Sequence, residues 1–337
     1  MNSKSESKID LLDCTIRDGS FSNAEQFTVR NVADAILKLV SAGIQWIELG
    51  HGYGLGAERI MTPLPGTLAE YIAAVPQAAS KAKLGAFINP NIGTLDDIHR
   101  ARDAGISFLR VGFIGLLSPL SIYNAAPLVE EAKKLGLWTS LNAIRTQTMT
   151  EGDIRVAANI ASSTGADCFY IVDSTGGALP KQVRGAIAEI KSYFHGAIGF
   201  HGHNNLGLSL ANSLTAVESG ATFVDGTLKG IGRDAGNTSL ELLAAVLQKA
   251  GFSLSANPYE LLRSSELFRK PVFNVEDRDV HILLGEYDIL THGYSIMAEL
   301  CDGDRDRIRR LAKAFSSASY EFEDSESLAE LNKGLSL

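Results

Sequence analysis

The chain has 337 residues, 45% of them hydrophobic, with 32 glycines and nine prolines; this supports a substantial core and suits short strand–helix connections better than a disordered or fibrous chain. A formal charge of −8, with no basic stripe and no RNA-binding aromatic motif, argues against a nucleic-acid ligand. The start, MNSKSESKID, has no apolar signal core, and no run of about 18 apolar residues suggests a membrane span. Cys14, Cys168 and Cys301 show no CxxC spacing, so a soluble, cytoplasmic protein in a reducing compartment is expected.

In chain order, β-rich runs recur at LLDCTI (11–16), WIELG (46–50), LGAFI (84–88), FLRVGF (108–113), WTSLNA (138–143), CFYIVD (168–173), AIGFHGH (197–203) and FVDGTL (223–228). Helix-compatible segments such as VRNVADAILKLVSAG and LVEEAKKLG lie between them. The second has apolar positions near i, i+3, i+4 and i+7, as a one-sided helix requires. Several of these segments end in a small residue or leucine followed by glycine (Gly43, Gly105, Gly136, Gly220), where a left-handed C-terminal conformation releases the chain. Evenly spaced βα units with right-handed crossovers predict an α/β protein, a (β/α)8 TIM barrel over residues 1–256; a doubly wound open sheet is the alternative. Residues 257–337 lose the pattern. ELLRSSELFRK and RDRIRRLAKAFSSASYEF read as helical, and a small C-terminal helical domain is expected there.

Active sites of such barrels collect at the C-terminal ends of the strands. That rim would gather Arg17 and Asp18 after strand one, Glu48 and His51 at strand two, Asp173 ending strand six, His201 and His203 ending strand seven, and Asp225 in strand eight. In FHGHNN the two imidazoles point to one face, with Gly202 between them, so both could address one ion together with Asp18. One carboxylate and two imidazoles leave positions open for substrate oxygens, which suits Mn²⁺, Mg²⁺, Co²⁺ or Zn²⁺. Blander readings stand beside these. Arg-Asp-Gly could be a solvated strand end or a helix cap, Glu48 could simply balance Arg17, and His51 in HGYGLG could be structural. The loop KGIGRDAGNTSLELL lacks the dinucleotide spacing. Its Gly230 and Gly232 could bind an anion before a helix N-terminus, or form a tight loop capped by Asn237 or Thr238. No GxSxG, HExxH or Walker loop is present.

Together, DCTIRDG, IELGHGYGLG, HGHNNLGLSLANS and GIGRDAGNTSLE resemble the superfamily of divalent-metal (β/α)8 lyases and aldolases over about residues 9–255. That superfamily includes 4-hydroxy-2-oxovalerate aldolase, isopropylmalate and homocitrate synthases, and hydroxymethylglutaryl-CoA lyase. The resemblance implies Asp18, His201 and His203 as metal ligands, with Asn237 at or near the ion and Mn²⁺ as the foremost ion. It implies Arg17 on the oxygen that becomes enolate, with Glu48 holding Arg17. From their places on the rim and in the glycine loop, Asp173, Gly230 and Gly232 are expected around the substrate. The spacing from RDGS to EQFT and the IELGHGYGLG segment resemble the 4-hydroxy-2-oxovalerate aldolases, which cleave a 4-hydroxy-2-oxo acid to pyruvate and an aldehyde. The GIGRDAGNTSLE segment resembles the Claisen synthases, and acyl-CoA chemistry is the alternative.

One departure matters. The aldolases carry a histidine base two residues after the motif glycine, and this chain has Phe21 there. His51, Tyr294 or His292 would have to move the proton, or the reaction differs. Tyr294 falls near a family tyrosine that reaches into the site. The C-terminus lacks the ending typical of aldolases that channel aldehyde to a dehydrogenase, so a standalone enzyme, as a homodimer, on a small 2-oxo acid and an aldehyde is the expectation. WTSLNA lacks the lysine a biotin-dependent carboxyltransferase would use. A catalytically inactive barrel serving as a scaffold is the reading of another class, and Phe21 sustains it.

Overall fold

A computed structural model describes residues 8–23, 26–114, 119–267, 278–318 and 324–335. Eight parallel strands close into a barrel: β1 (Asp10–Asp13), β2 (Trp46–Leu49), β3 (Lys83–Ile88), β4 (Phe108–Ile114), β5 (Trp138–Ile144), β6 (Cys168–Asp173), β7 (Ala197–Gly202) and β8 (Phe223–Gly226). The last strand pairs with the first, Asp10 opposite Phe223 and Leu12 opposite Asp225. Around them run α1 (Val29–Ser41), α2 (Leu68–Ala73), α3 (Leu95–Ala104), α4 (Pro119–Lys134), α5 (Glu151–Thr164), α6 (Pro180–Lys191), α7 (Ser209–Glu218) and α8 (Leu240–Lys249). Gly43, Gly105, Gly136 and Gly220 all sit at positive φ, between 76° and 107°, as the helix-ending glycines predict.

Side-chain alternation divides each strand between two cores. Leu11, Ile47, Phe169 and Ile171 face the helices and join the main apolar core. Leu12, Cys14, Trp46, Phe108, Cys168 and Tyr170 face the lumen. The floor of the lumen is aromatic: Trp46 packs within 5.3 Å, ring centre to ring centre, of Phe108, Trp138 and Phe223. Close packing there requires glycines. A Cβ on Gly85 would lie 2.3 Å from the Phe108 ring, and one on Gly199 would lie 2.4 Å from the Tyr170 ring.

Strand one is shorter than its apolar run suggests. The Asp13 side chain accepts hydrogen bonds from the Thr15 backbone N–H and hydroxyl, turning the chain before Ile16. Beyond the barrel, α9 (Pro258–Ser265) packs on α1 and α8, and its Leu261 belongs to the barrel core. A second core begins with α10 (Arg278–Tyr287), continuing through α11 (Thr291–Leu300), α12 (Arg305–Ser317) and α13 (Ser325–Gly334) around Leu284, Met297, Leu311 and Phe315. This helical unit meets the C-terminal rim of the barrel. The Asp288 side chain accepts from Thr175 Oγ1 at 2.7 Å and Gln147 Nε2 at 3.0 Å, and its carbonyl accepts from Arg145 at 2.7 Å. Among the described residues, no helix is long and apolar enough to cross a membrane.

Candidate active site

After the Asp13 turn, a 3-10 turn over Asp18–Asn23 swings Asp18 over the lumen. Strand β7 brings His201 and His203 to the same point. The Asp18 Oδ2 atom lies 3.4 Å from His201 Nε2 and 3.7 Å from His203 Nε2. An isolated bridge pairs His203 with Asn237, and Asn237 Nδ2 donates to Asp18 Oδ2 at 2.7 Å. Gly232 makes this possible, because a Cβ there would stand 2.2 Å from Asn237 Nδ2. Gly230, at φ 68°, shapes the same loop and accepts from the Asn237 backbone N–H. At Gly202, between the two histidines in sequence, a Cβ would press on the Phe200 ring at 2.8 Å.

A closed circuit of charges surrounds Asp18. Arg17 donates through Nη1 to Asp18 Oδ1 at 2.9 Å and through Nε to Glu48 Oε2 at 2.7 Å. Glu48 Oε2 also accepts from Arg110 Nη1 at 3.2 Å, and Arg110 Nη2 donates to Asp225 Oδ2 at 2.5 Å. Asp225 Oδ2 meets His201 Nδ1 at 3.0 Å, and His201 returns to Asp18. Every member is less than a tenth exposed. Burial alone would raise the Asp18 carboxyl, but Arg17 and the two histidines hold it well below the ordinary range. Asp225 is likewise lowered, by Arg110 and then His201, against its burial.

Arg110 is the residue that sequence reasoning passed over. Its only mark was a lone cation inside the apolar run FLRVGF. It is 1% exposed, stacks 4.3 Å above the Tyr170 ring, and places Nη1 3.4 Å from Cys14 Sγ. Turning the Asn142 amide lets its oxygen accept from Arg110 Nε and Nη2, each at 3.1 Å. Cys14, His201 and Asp225 also have their ligand atoms close enough to suggest an ion, but the guanidinium already supplies the cation there.

The donor set above this layer fits a divalent ion. Asp225 is an ionised acceptor, so His201 Nδ1 carries the proton and Nε2 turns its lone pair toward the Asp18 carboxylate. Two acceptors facing each other need a proton or a metal between them. In the metal-free state His201 is therefore raised, with burial opposing and the hydrogen bonds to Asp18 and Asp225 prevailing. His203 is pushed down to about 4, chiefly by burial, so it is neutral at pH 7 and can ligate. Asn237 Oδ1 is buried without a hydrogen-bond partner, a further oxygen an ion could use.

Other expected residues are placed elsewhere. Asp173 shares the outward parity of Phe169 and Ile171, so a substrate-binding role from the lumen is corrected: its carboxylate accepts from the Gly177 and Ala178 backbone N–H groups. His51 accepts the Tyr53 N–H at Nδ1, which leaves Nε2–H to donate to the Thr62 carbonyl at 3.1 Å. Both nitrogens are engaged, so it has no lone pair for substrate. Tyr294 packs on the helical core and lines a cavity of about 330 Å³ with Glu286, Ile308 and Arg309, a lining that includes none of Asp18, His201 and His203. His292, on the same helix, is exposed. Phe21 meets the Tyr53 ring edge-on at 5.0 Å, and Tyr53 stacks on His51.

A closed eight-stranded parallel barrel with carboxylate and imidazole donors converging at its C-terminal rim defines a (β/α)8 protein whose rim could hold a metal ion. Within that class, the sequence model of the HMGL-like family matches residues 8–268, and the chain belongs to that family. It is 37% identical to 4-hydroxy-2-oxovalerate aldolase 4 of Rhodococcus opacus (strain B4), across 81% of this chain and 78% of that protein. It is 35% identical to the oxaloacetate decarboxylase of Mycobacterium tuberculosis, across 77% of each. The HMG-CoA lyase of Bacillus subtilis shares the fold at a TM-score of 0.66, with 18% identity, over 77% of this chain and 92% of that one.

Proposed function

We propose that this protein is a divalent-metal-dependent carbon–carbon lyase, an aldolase of 4-hydroxy-2-oxo acids that yields pyruvate and an aldehyde. The observation that carries the reading is the convergence of Asp18, His201 and His203 beside an arginine already oriented by two carboxylates. Asp18, His201 and His203 would hold the ion, with Asn237 beside it, and Mn²⁺ is the ion we favour. When bound, the ion would draw electron density from the carboxylate and keto oxygens of a 2-oxo acid. Arg17 is kept charged by Glu48 and Asp18 against the cost of burial, and its Nη2 has no partner among the described residues. That edge would donate to the C2 oxygen as the C3–C4 bond breaks and its electron pair enters the enolate. The donor is fixed before reaction, so little reorganisation remains at the transition state. Water would then protonate C3.

Aldol cleavage also requires a base for the C4 hydroxyl. Phe21 offers none, and His51 is fully engaged. This favours a second reading, decarboxylation of a 2-oxo acid with a carboxylate at C4: the same bond breaks, the same enolate forms, and carbon dioxide leaves without proton removal. A relative named oxaloacetate decarboxylase supports that alternative. The two are tested together. Pyruvate with short aldehydes and Mn²⁺ should give a new 2-oxo acid by mass spectrometry, whereas oxaloacetate consumption without aldol product would favour decarboxylation. Acetyl-CoA with 2-oxo acids should release no thiol; thiol release alone would return the reaction to the Claisen branch. Indifference to both Mn²⁺ and EDTA in every assay would leave the scaffold reading.

A further inference from the structure

The glycine loop after β8 is broken by two adjacent charges that part company. Asp234 adopts a left-handed φ of 56° and accepts from the Thr291 hydroxyl of α11, which ties it to the helical unit. Arg233 turns toward the mouth, with its guanidinium carbon 5.7 Å from the centre of the Phe21 ring. It is also among the charges that act on His203, after burial, Asp18 and His201.

Arg17 and Arg110 are each fixed by two carboxylates. Arg233 is not. Among the described residues its carboxylate neighbour is Asp234, with Oδ2 3.9 Å from Nε and beyond hydrogen-bond reach, while the side chain stays 25% exposed. Its Nε is buried with no hydrogen-bond partner. The buried Nε faces Asp234 Oδ2, itself buried without a partner, so the Nη atoms are the end left to meet a ligand, and a carboxylate is the planar acceptor that a guanidinium edge binds best.

We propose that Arg233 recognises a second carboxylate on the aldehyde half of the substrate, so that the preferred class is the 4-hydroxy-2-oxo diacids. The first carboxylate and the keto oxygen would belong to the Asp18–Arg17 pole, and Arg233 stands beside Phe21, in the 3-10 turn that Asp18 opens. The carboxylate at Arg233 is one that stays with the product. An arginine stabilises a carboxylate more than the carbon dioxide it would become, so it would hinder a reaction that expelled that group. The substrate assignment rests on the lyase reading; the binding preference does not.

Two measurements separate the proposal from that reading. Binding of 2-oxoglutarate and of 2-oxopentanoate, which have equal chain length and differ by one carboxylate, is compared by calorimetry on the Mn²⁺-loaded protein. The wild type should favour the diacid by about tenfold or more. Arg233→Gln should erase most of that ratio, and Arg233→Lys should restore part of it. Condensation of pyruvate with glyoxylate and with acetaldehyde should show the same ratio in kcat/KM, expressed mainly in KM. Equal binding of both acids by the wild type, or an unchanged ratio in folded Arg233→Gln, overturns the proposal. No condensation with either aldehyde, together with a retained binding preference, sinks the aldolase reading and leaves the carboxylate contact standing. If Arg233→Gln slows oxaloacetate decarboxylation as much as glyoxylate condensation, the residue holds a departing carboxylate and the assignment to the aldehyde half is wrong.

Discussion

Four aspartates near the C-terminal rim are buried to 3% exposure or less: Asp18 and Asp225 belong to the lumen, Asp13 and Asp173 to the outer face. Burial is the largest influence on all four and favours the neutral acid in each. On the inner face, Arg17, Arg110 and the histidines outweigh it, and both carboxylates remain ionised. On the outer face the opposing influence comes chiefly from uncharged donors, Thr15 for Asp13 and the Ala178 and Gly177 amides for Asp173, while nearby carboxylates (Glu241 and Glu48 for Asp13, Asp288 for Asp173) add to the rise, and both stand at about 7. The difference teaches that burial at the rim does not mark the chemistry; the sign of the neighbours does.

The contrast breaks most sharply at Asp18. Asp18→Asn keeps the shape but removes the charge that two imidazoles and Arg17 address. Activity should fall on the order of 10³-fold or more, with Mn²⁺ affinity falling in parallel by calorimetry. His203→Ala should behave alike. Near-normal kcat/KM in either folded variant would exclude the proposed centre.

Arg110 tests whether the inner circuit also supports the fold. Arg110→Met leaves Glu48 and Asp225 buried without their shared cation, and should destabilise by about 3–5 kcal/mol in urea unfolding. Adding Glu48→Gln and Asp225→Asn should recover much of that loss, though not activity. A single variant as stable as the wild type would mean that water or another cation already compensates the layer. Next in size is Gly199→Ala. Its methyl would lie 2.4–2.5 Å from Tyr170 ring carbons, under the ring on which Arg110 stacks, and should cost about 1–3 kcal/mol.

The fold was legible because it rests on local pattern, repeating βα spacing and glycines at helix ends, and the convergence of Asp18 with His201 and His203 followed from it, since the barrel brings the ends of strands one and seven to one rim. The parity of Asp173 was legible too, since Phe169 and Ile171 at the same phase are apolar residues of the helix-facing layer. Its rim position outweighed that signal. The role of Arg110 was not legible, because its partners Glu48 and Asp225 are 62 and 115 residues away. Tyr294 depends on how the helical unit docks, which no periodicity encodes, and His51 depends on a carbonyl at Thr62. Phe21 needed no structure to stand out; its neighbours Tyr53 and Arg233 did.

The outer aspartates give the smallest effect and the clearest sign. Asp173 has a folded value of about 7 against an ordinary 3.8, so between those values the folded protein holds a proton that the unfolded chain releases. Stability from this group is therefore fully present below about pH 4, declines as pH rises toward 7, and is flat above it. Asp173→Asn removes the titration while its amide oxygen can still accept from Gly177 or Ala178. The variant should be about 1–2 kcal/mol more stable than the wild type at pH 8, a deliberate discount on the full linkage because the buried site can relax, and no more stable at pH 4. Its kcat should stay near the wild-type value, since the carboxylate faces the helices. Thermal melts across pH 4–8 read the slope directly. Asp13→Asn in the same background should flatten what remains. A variant that loses activity while keeping the wild-type slope would put Asp173 back among the substrate-facing groups.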